Sequence, residues 1–381
     1  MSAYFTDADC DIGAFTQLID RQLDPAAVPH AARVVSNLPV YDVAGLAGTL
    51  ADVAGRRRLM GEWATVLRDH SGALVLKGAL TDMAVLDEAT ALFNRIIAQE
   101  RETSTGGDHF AGAGANDRVW NSLQKMCLAA PGLFARYFAS PAIAAACEAW
   151  LGPGYQMTAQ VNQVHPGGKA QVAHRDYHLG FMEPERAAAF PAQAHLLSPF
   201  LTLQGAIAHC DMPVESGPTR LLPFSQAFGP GYLACLRPEF RALFAARHVQ
   251  VALDKGDALF FSPALFHAAG DNRSAAVQRM ANLVQISSPM GRSLEAVDRV
   301  AMVRALFPVL KSMALPPAQQ AAVIAAAAEG YPFPTNLDTD PPVGGLMGES
   351  QAELLARALA EGMSEPAFAA ALAAHGAKRV P

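Results

Sequence analysis

The sequence predicts a mainly β core, a jelly roll of two packed antiparallel sheets, with helical extensions at both ends. Three observations predict it. From Tyr155 to Ser287 short alternating runs recur between Gly/Pro turns, the texture of a sandwich or barrel. Before Tyr155 and after Ser288 the apolar residues fall instead at near-helical spacing. The 381 residues, 51% hydrophobic and 17% charged, suit a compact globular chain with a sizeable core rather than a disordered one.

Taken in order, residues 1–70 read as mostly helical. The pattern from Val43 to His70 is stopped by Ser71-Gly72. Ala73 to Lys77 is short and β-prone, a first strand. Thr81 is placed to cap a helix whose apolar stripe is Val85, Ala89, Phe93 and Ile96. Ser104 to Asp117 is glycine-rich, but no GxxxxGKS follows, so it reads as a plain loop rather than a phosphate cradle. Ser140-Pro141 starts a helix and Gly152-Pro153-Gly154 ends it.

Strands are expected at Tyr155–Val164, Lys169–His178, Phe200–His209, Thr219–Pro223, His248–Leu253, Ala258–Ser262 and Val277–Ser287. Glu183–Ser198 is a helix-prone insertion. Two helices follow the core, Leu294–Met313 and Pro317–Glu329, and Ser350 with Glu353 forms a capping box for another. The division expected is 1–71, a helical extension; 72–290, the core; and 291–381, a helical region.

The chemistry centres on AHRDYH, Ala173 to His178. On a strand, His174 and Asp176 share a face, and so does His178. An imidazole and a carboxylate side by side supply two of the three ligands of a 2-His-1-carboxylate iron site. H-x-D alone is a weak signal. It gains weight from Gly256–Arg279, which reads as a strand, a turn, an isolated His267, a Gly-Asp-Asn turn and a strand opening at Arg279.

Together these stretches resemble the phytanoyl-CoA dioxygenase family, over roughly Gly72 to Ser288. His174, Asp176 and His178 match the family's HxDxH. His267, Gly270, Asn272 and Ser274 match its H-x-x-G-x-N-x-S. Gly217–Ser225 resembles a further family strand, with Ser216 in place of the usual Asn and Phe224 in place of Gly. The resemblance implies a double-stranded β-helix of cupin-like type, iron(II) and 2-oxoglutarate as cofactors, and His174, Asp176 and His267 as the metal ligands and catalytic set. It implies C–H hydroxylation of a small metabolite, with release of succinate and carbon dioxide. Halogenating relatives carry Gly or Ala at the aspartate, so Asp176 favours hydroxylation.

Arg279, twelve positions after His267, is the candidate for the distal carboxylate of 2-oxoglutarate, because a guanidinium grips a carboxylate at two points. Arg273, inside the turn, competes for that role. By resemblance the strands carrying Gln160, Asn162 and Gln204 line the cosubstrate pocket; ordinary strand polarity is the plainer reading. A ligand pair of Asp176 with His178 is the alternative within the motif. His165 and His209 read as structural or supporting. A non-catalytic jelly-roll or cupin-like binding protein, or a metalloenzyme using another divalent ion, is the competing function.

The net charge of −6 and the lack of a long basic tract argue against nucleic acid. No apolar run is long enough to span a bilayer, and the acidic N-terminus lacks a signal-peptide h-region. Five cysteines without a CxxC pair suit free thiols, and the cytoplasm is expected. The partners expected are a small-molecule substrate and dioxygen, with homo-oligomerisation left open. Gly330–Gly348, rich in Pro and apolar residues, is long for a loop. It is read as a lid over the barrel mouth, with a surface connector or a subunit contact as the other readings.

Overall fold

The computed structural model describes residues 3–102 and 116–380. The glycine-rich stretch therefore lies outside the described residues, except for Asn116 and Asp117. Ten strands are described: β1 Arg33–Val35, β2 Leu38–Asp42, β3 Ala73–Lys77, β4 Asn116–Val119, β5 Gln156–Val164, β6 Thr202–Ala208, β7 Arg220–Leu221, β8 Ala258–Phe261, β9 His267–Ala268 and β10 Arg279–Ser287. Eight form one sheet in the order β1-β2-β3-β8-β6-β10-β5-β4. Every pair in it is antiparallel except β2 with β3. The second sheet pairs β7 with β9. It is widened by single bridges, His174 with His267 on one side and Leu221 with Val249 on the other. Two facing sheets flanked by helices make the predicted jelly roll.

Strand period two sorts the large sheet into two faces. Met157, Ala159, Val161, Leu203, Ile207, Phe260, Val284 and Ile286 turn outward and are buried in the main core. Helical residues cover them, among them Trp63, Phe93, Phe134, Ile143, Leu306 and Val323. The intervening positions face the second sheet, and here the strands turn polar: Gln160, Asn162, Gln204, Arg279 and Gln285 are all buried. Burying polar groups on one face is costly unless they find partners, so this face is where a site is to be sought. A smaller core around Phe15, Phe228, Phe240 and Phe266 lies apart from the main one.

Several sequence expectations change in detail. The first 71 residues hold not only helices but β1 and β2, which extend the large sheet. The helix Val53–Asp69 is capped by Asp52, whose carboxylate accepts from Gly55 N at 2.6 Å. It closes where Gly72, at φ +75°, donates its N–H to Val66 O. A Cβ at Gly72 would sit 2.4 Å from the Gln226 amide, so both turn and packing require glycine. Asp82, not Thr81, caps Met83–Glu102, through Val85 N. The predicted capping box of Ser350 and Glu353 is present.

Lys169–His178 is not a continuous strand. Its one β-bridge is at His174, and it then turns sharply, with φ +62° at Tyr177 and +44° at His178, into a 3-10 turn, His178–Phe181. The insertion after it forms two short helices, Pro184–Ala188 and Ala192–Leu197. In the Gly330–Gly348 loop, Lys378 pairs with Asp340, and Thr339 Oγ1 donates to Lys378 O at 2.7 Å. These bonds tie the loop to the end of the last helix, Glu365–Ala377.

Candidate metal centre

His174, Asp176 and His267 come together between the sheets, their ligand atoms all within 4.8 Å of one another. Backbone pairing does this. His174 N donates to His267 O at 3.0 Å and His267 N returns to His174 O at 3.1 Å, so the imidazoles project side by side, ring centres 4.5 Å apart. Asp176 N donates to Pro263 O, which holds the carboxylate beside them.

Each imidazole is oriented in the same way. His174 Nδ1–H donates to Val172 O and His267 Nδ1–H to Leu265 O, both at 2.8 Å and both two residues back. That turns Nε2 of each ring toward Asp176, 3.5 Å from Oδ1 and 3.3 Å from Oδ2 respectively. Fixing one ring nitrogen so that the other can ligate is the usual support of a metal-bound histidine. Burial alone would push the Asp176 carboxyl up; the His174 and His267 rings and the Gln204 amide outweigh it and hold it well below the usual range. Burial, then the neighbouring His267, pushes the His174 imidazole down toward its neutral, ligating form. Two imidazole nitrogens and an ionised carboxylate within 4.8 Å of one another are a donor set that would hold an iron(II) ion.

Around this trio the sequence reading needs revision in two places. His178 does not share the face of His174 and Asp176, because the positive φ values redirect it; its Nδ1 lies 3.0 Å from Ser198 Oγ. Gln204 does not merely line a pocket. Its Nε2 donates to Asp176 Oδ2 at 2.6 Å, while its own Oε1 is buried without a partner. The sequence reading missed Tyr177 and Gln285, which bond at 2.8 Å (hydroxyl to Oε1) and tie the H-x-D segment to β10, where Gln285 is in register with Gln204. For Gln285 a signal was available, a polar group at an inward position of an apolar strand; Tyr177, in the polar stretch AHRDYH, offered none.

Arg279 is 7% exposed, and Nη1 donates to Ser216 O and Gly270 O. Among the described residues no carboxylate pairs with it. Desolvation lowers its pKa only to about 10, so it stays charged. A buried, uncompensated guanidinium is costly unless an anion joins it, which fits a dicarboxylate cosubstrate. Arg273, by contrast, is exposed. Asn162 Oδ1 is buried and unpartnered, whereas Gln160 Oε1 accepts from Arg118 Nη1 at 2.9 Å. His165 bonds Asp117, and His209 is buried between Thr90 and Tyr137; neither approaches the triad. Phe224, where the family pattern has Gly, stands at φ +70°.

A jelly roll with two histidines and an aspartate between its sheets defines the class of non-haem iron enzymes built on a double-stranded β-helix. The particular family follows from the sequence: the model of the phytanoyl-CoA dioxygenase (PhyH) family matches residues 69–281, and the chain belongs to that family. It is thus an iron(II)- and 2-oxoglutarate-dependent enzyme. Among solved structures it is similar to the non-heme alpha ketoglutarate dependent epimerase SnoN from nogalamycin biosynthesis, with TM-score 0.44 and 22% identity over 62% of this chain and 85% of that one. It is also similar to the carbocyclase SnoK of the same biosynthesis, with TM-score 0.43 and 21% identity over 61% and 86%. No curated protein matches the chain. No helix among the described residues is long and apolar enough to cross a membrane.

Proposed function

We propose that the protein hydroxylates an unactivated C–H bond of a small metabolite, with one oxygen atom of dioxygen entering the product and the other entering succinate as 2-oxoglutarate loses carbon dioxide. The observation that carries this reading is the complete triad of His174, Asp176 and His267, pinned from outside by carbonyls and by Gln204. In this reading the three residues hold iron(II), which with 2-oxoglutarate and dioxygen supplies the oxidising chemistry. The protein's part is placement and exclusion of water. Arg279 fixes the far carboxylate of the cosubstrate, and Asn162 offers a free acceptor on the same sheet face. Asp176 fills the third protein position, which supports transfer of oxygen rather than of a halide. The five free cysteines fit a reducing compartment such as the cytoplasm. The bonds of Gly330–Gly348 to the last helix favour a connector over a lid.

The test is a metabolite screen with the iron-loaded enzyme, reading succinate and substrate product together. A substrate that gains one oxygen atom in step with succinate supports hydroxylation. A product that is an epimer, a new ring or an alkene, formed with the same stoichiometry, replaces the hydroxylase reading by another oxidation on the same site. Absence of iron-dependent carbon dioxide release from carboxyl-labelled 2-oxoglutarate would reject it outright.

A further inference from the structure

Asp176 and Tyr177, consecutive in the chain, are each held by a glutamine of the large sheet. Gln204 Nε2 donates to Asp176 Oδ2 at 2.6 Å, and the Tyr177 hydroxyl donates to Gln285 Oε1 at 2.8 Å. The two glutamines are in register on neighbouring strands, β6 and β10. Side chains directly opposite on an antiparallel pair leave the same face of the sheet. Both therefore reach the H-x-D segment from one level of the sheet, one at the carboxylate and one at the residue after it.

Tyr177 stands at φ +62° and ψ +139°, and His178 at φ +44°. Bulky residues rarely adopt positive φ, and the surrounding structure must hold them there. The Tyr177 side chain is 2% exposed, and its hydroxyl ties it to β10. Phe181, at the end of the 3-10 turn, packs on the Tyr177 ring with centres 5.5 Å apart. Asp176 N donates to Pro263 O at 3.0 Å. That bond fixes the chain ahead of the carboxylate; the Tyr177 hydroxyl fixes it behind.

We propose that Tyr177 and Gln285 are positioning residues of the metal centre. Their bond holds the turn that follows Asp176, and together with Gln204 it sets the direction of the carboxylate. They act through Asp176 and supply no ligand atom themselves. The inference rests on His174, Asp176 and His267 being the ligands. Side chains that orient metal ligands from outside typically change metal affinity by about 10- to 100-fold when removed.

The probe is cobalt(II), titrated into the metal-free full-length protein and followed by its visible absorption. Tyr177→Phe removes one hydroxyl and keeps the ring. It should bind cobalt at least about tenfold more weakly than wild type. At saturation its visible bands should be shifted, because the ligands are unchanged and their geometry is not. Gln285→Leu breaks the same bond from the strand side and should reproduce both changes. The double variant should be no weaker than the weaker single one, because both substitutions remove one interaction. Asp176→Ala is the control for the ligands: unaltered cobalt binding there would remove the ligand assignment and this inference with it. Where that control loses cobalt, three results would overturn the positioning role and leave the ligands standing. These are unaltered affinity in either folded single variant, weaker binding with unshifted bands, and a loss in the double variant equal to the product of the two single losses.

Discussion

His174 and His267 form a backbone-paired couple, each amide donating to the other's carbonyl, although 93 positions (267 − 174) separate them. The ladder bonds belong to the main chain, so replacing either side chain leaves the pairing intact. His267→Ala and His174→Ala are therefore expected to fold normally and to lose most bound iron. Asp176→Ala should do the same. Iron content measured beside circular dichroism checks this; stoichiometric iron in a triple Ala variant would refute the ligand assignment.

Arg279→Lys keeps a charge but loses the two-point fork. A charge-assisted hydrogen bond is worth roughly 1.5–3 kcal/mol, so the KM for 2-oxoglutarate should rise about ten- to a hundredfold. Iron affinity should hold. Exposed Arg273→Ala should change neither. Steady-state carbon dioxide release decides between the two arginines, and a response from Arg273 alone would reverse the choice.

Gln204→Leu preserves bulk and removes the 2.6 Å bond to Asp176 Oδ2. With the carboxylate free to turn, metal affinity should fall by about 10- to 100-fold, the usual cost of losing such support. Competition with a chelator measures it. An unchanged affinity would mean that Asp176 is held by its backbone bond to Pro263 alone.

His209 supplies a pH dependence of stability. Burial pushes its pKa down from 6.5 to about 3, so the folded chain resists a proton that the unfolded chain takes up. Stability should therefore fall as pH drops from about 6.5 toward 3, by up to about 1.4 kcal/mol per pH unit from this residue. Urea unfolding of wild type and His209→Asn at pH 7 and pH 5 tests the sign; the variant should lose less on acidification.

Phe224 sets two terms against each other. A non-glycine residue in the left-handed region costs about 1–3 kcal/mol, which Phe224→Gly would recover. The side chain is 1% exposed, and emptying such a site costs about 3–5 kcal/mol. The packing term is larger, so restoring the family's glycine should lower the thermal midpoint rather than raise it.

The His174, Asp176 and His267 cluster was legible from the H-x-D motif and the distal histidine, and a backbone bridge between His174 and His267 brings it together. His178 was misplaced because the sequence carries no sign that Tyr177 and His178 adopt positive φ, in a turn where the Tyr177 hydroxyl bonds Gln285. The role of Gln204 was legible only as polarity on a buried face, since its partner Asp176 lies 28 residues earlier on another element. Strands β1, β2 and β4, three to five residues long, were not expected from the sequence; they pair with neighbours in the sheet.

Strand β2 lies along β3, whose residues Ala73 to Leu76 are all buried. It is therefore a guard strand as well as an extension. A chain trimmed to the segment that matches the family, beginning at residue 69, would lose that guard and present a bare apolar edge with unpaired N–H and C=O groups. Such an edge recruits any other extended chain, including a second copy of itself. A truncated form that keeps this edge covered is therefore expected to need a start ahead of Leu38, outside the boundary of the family match.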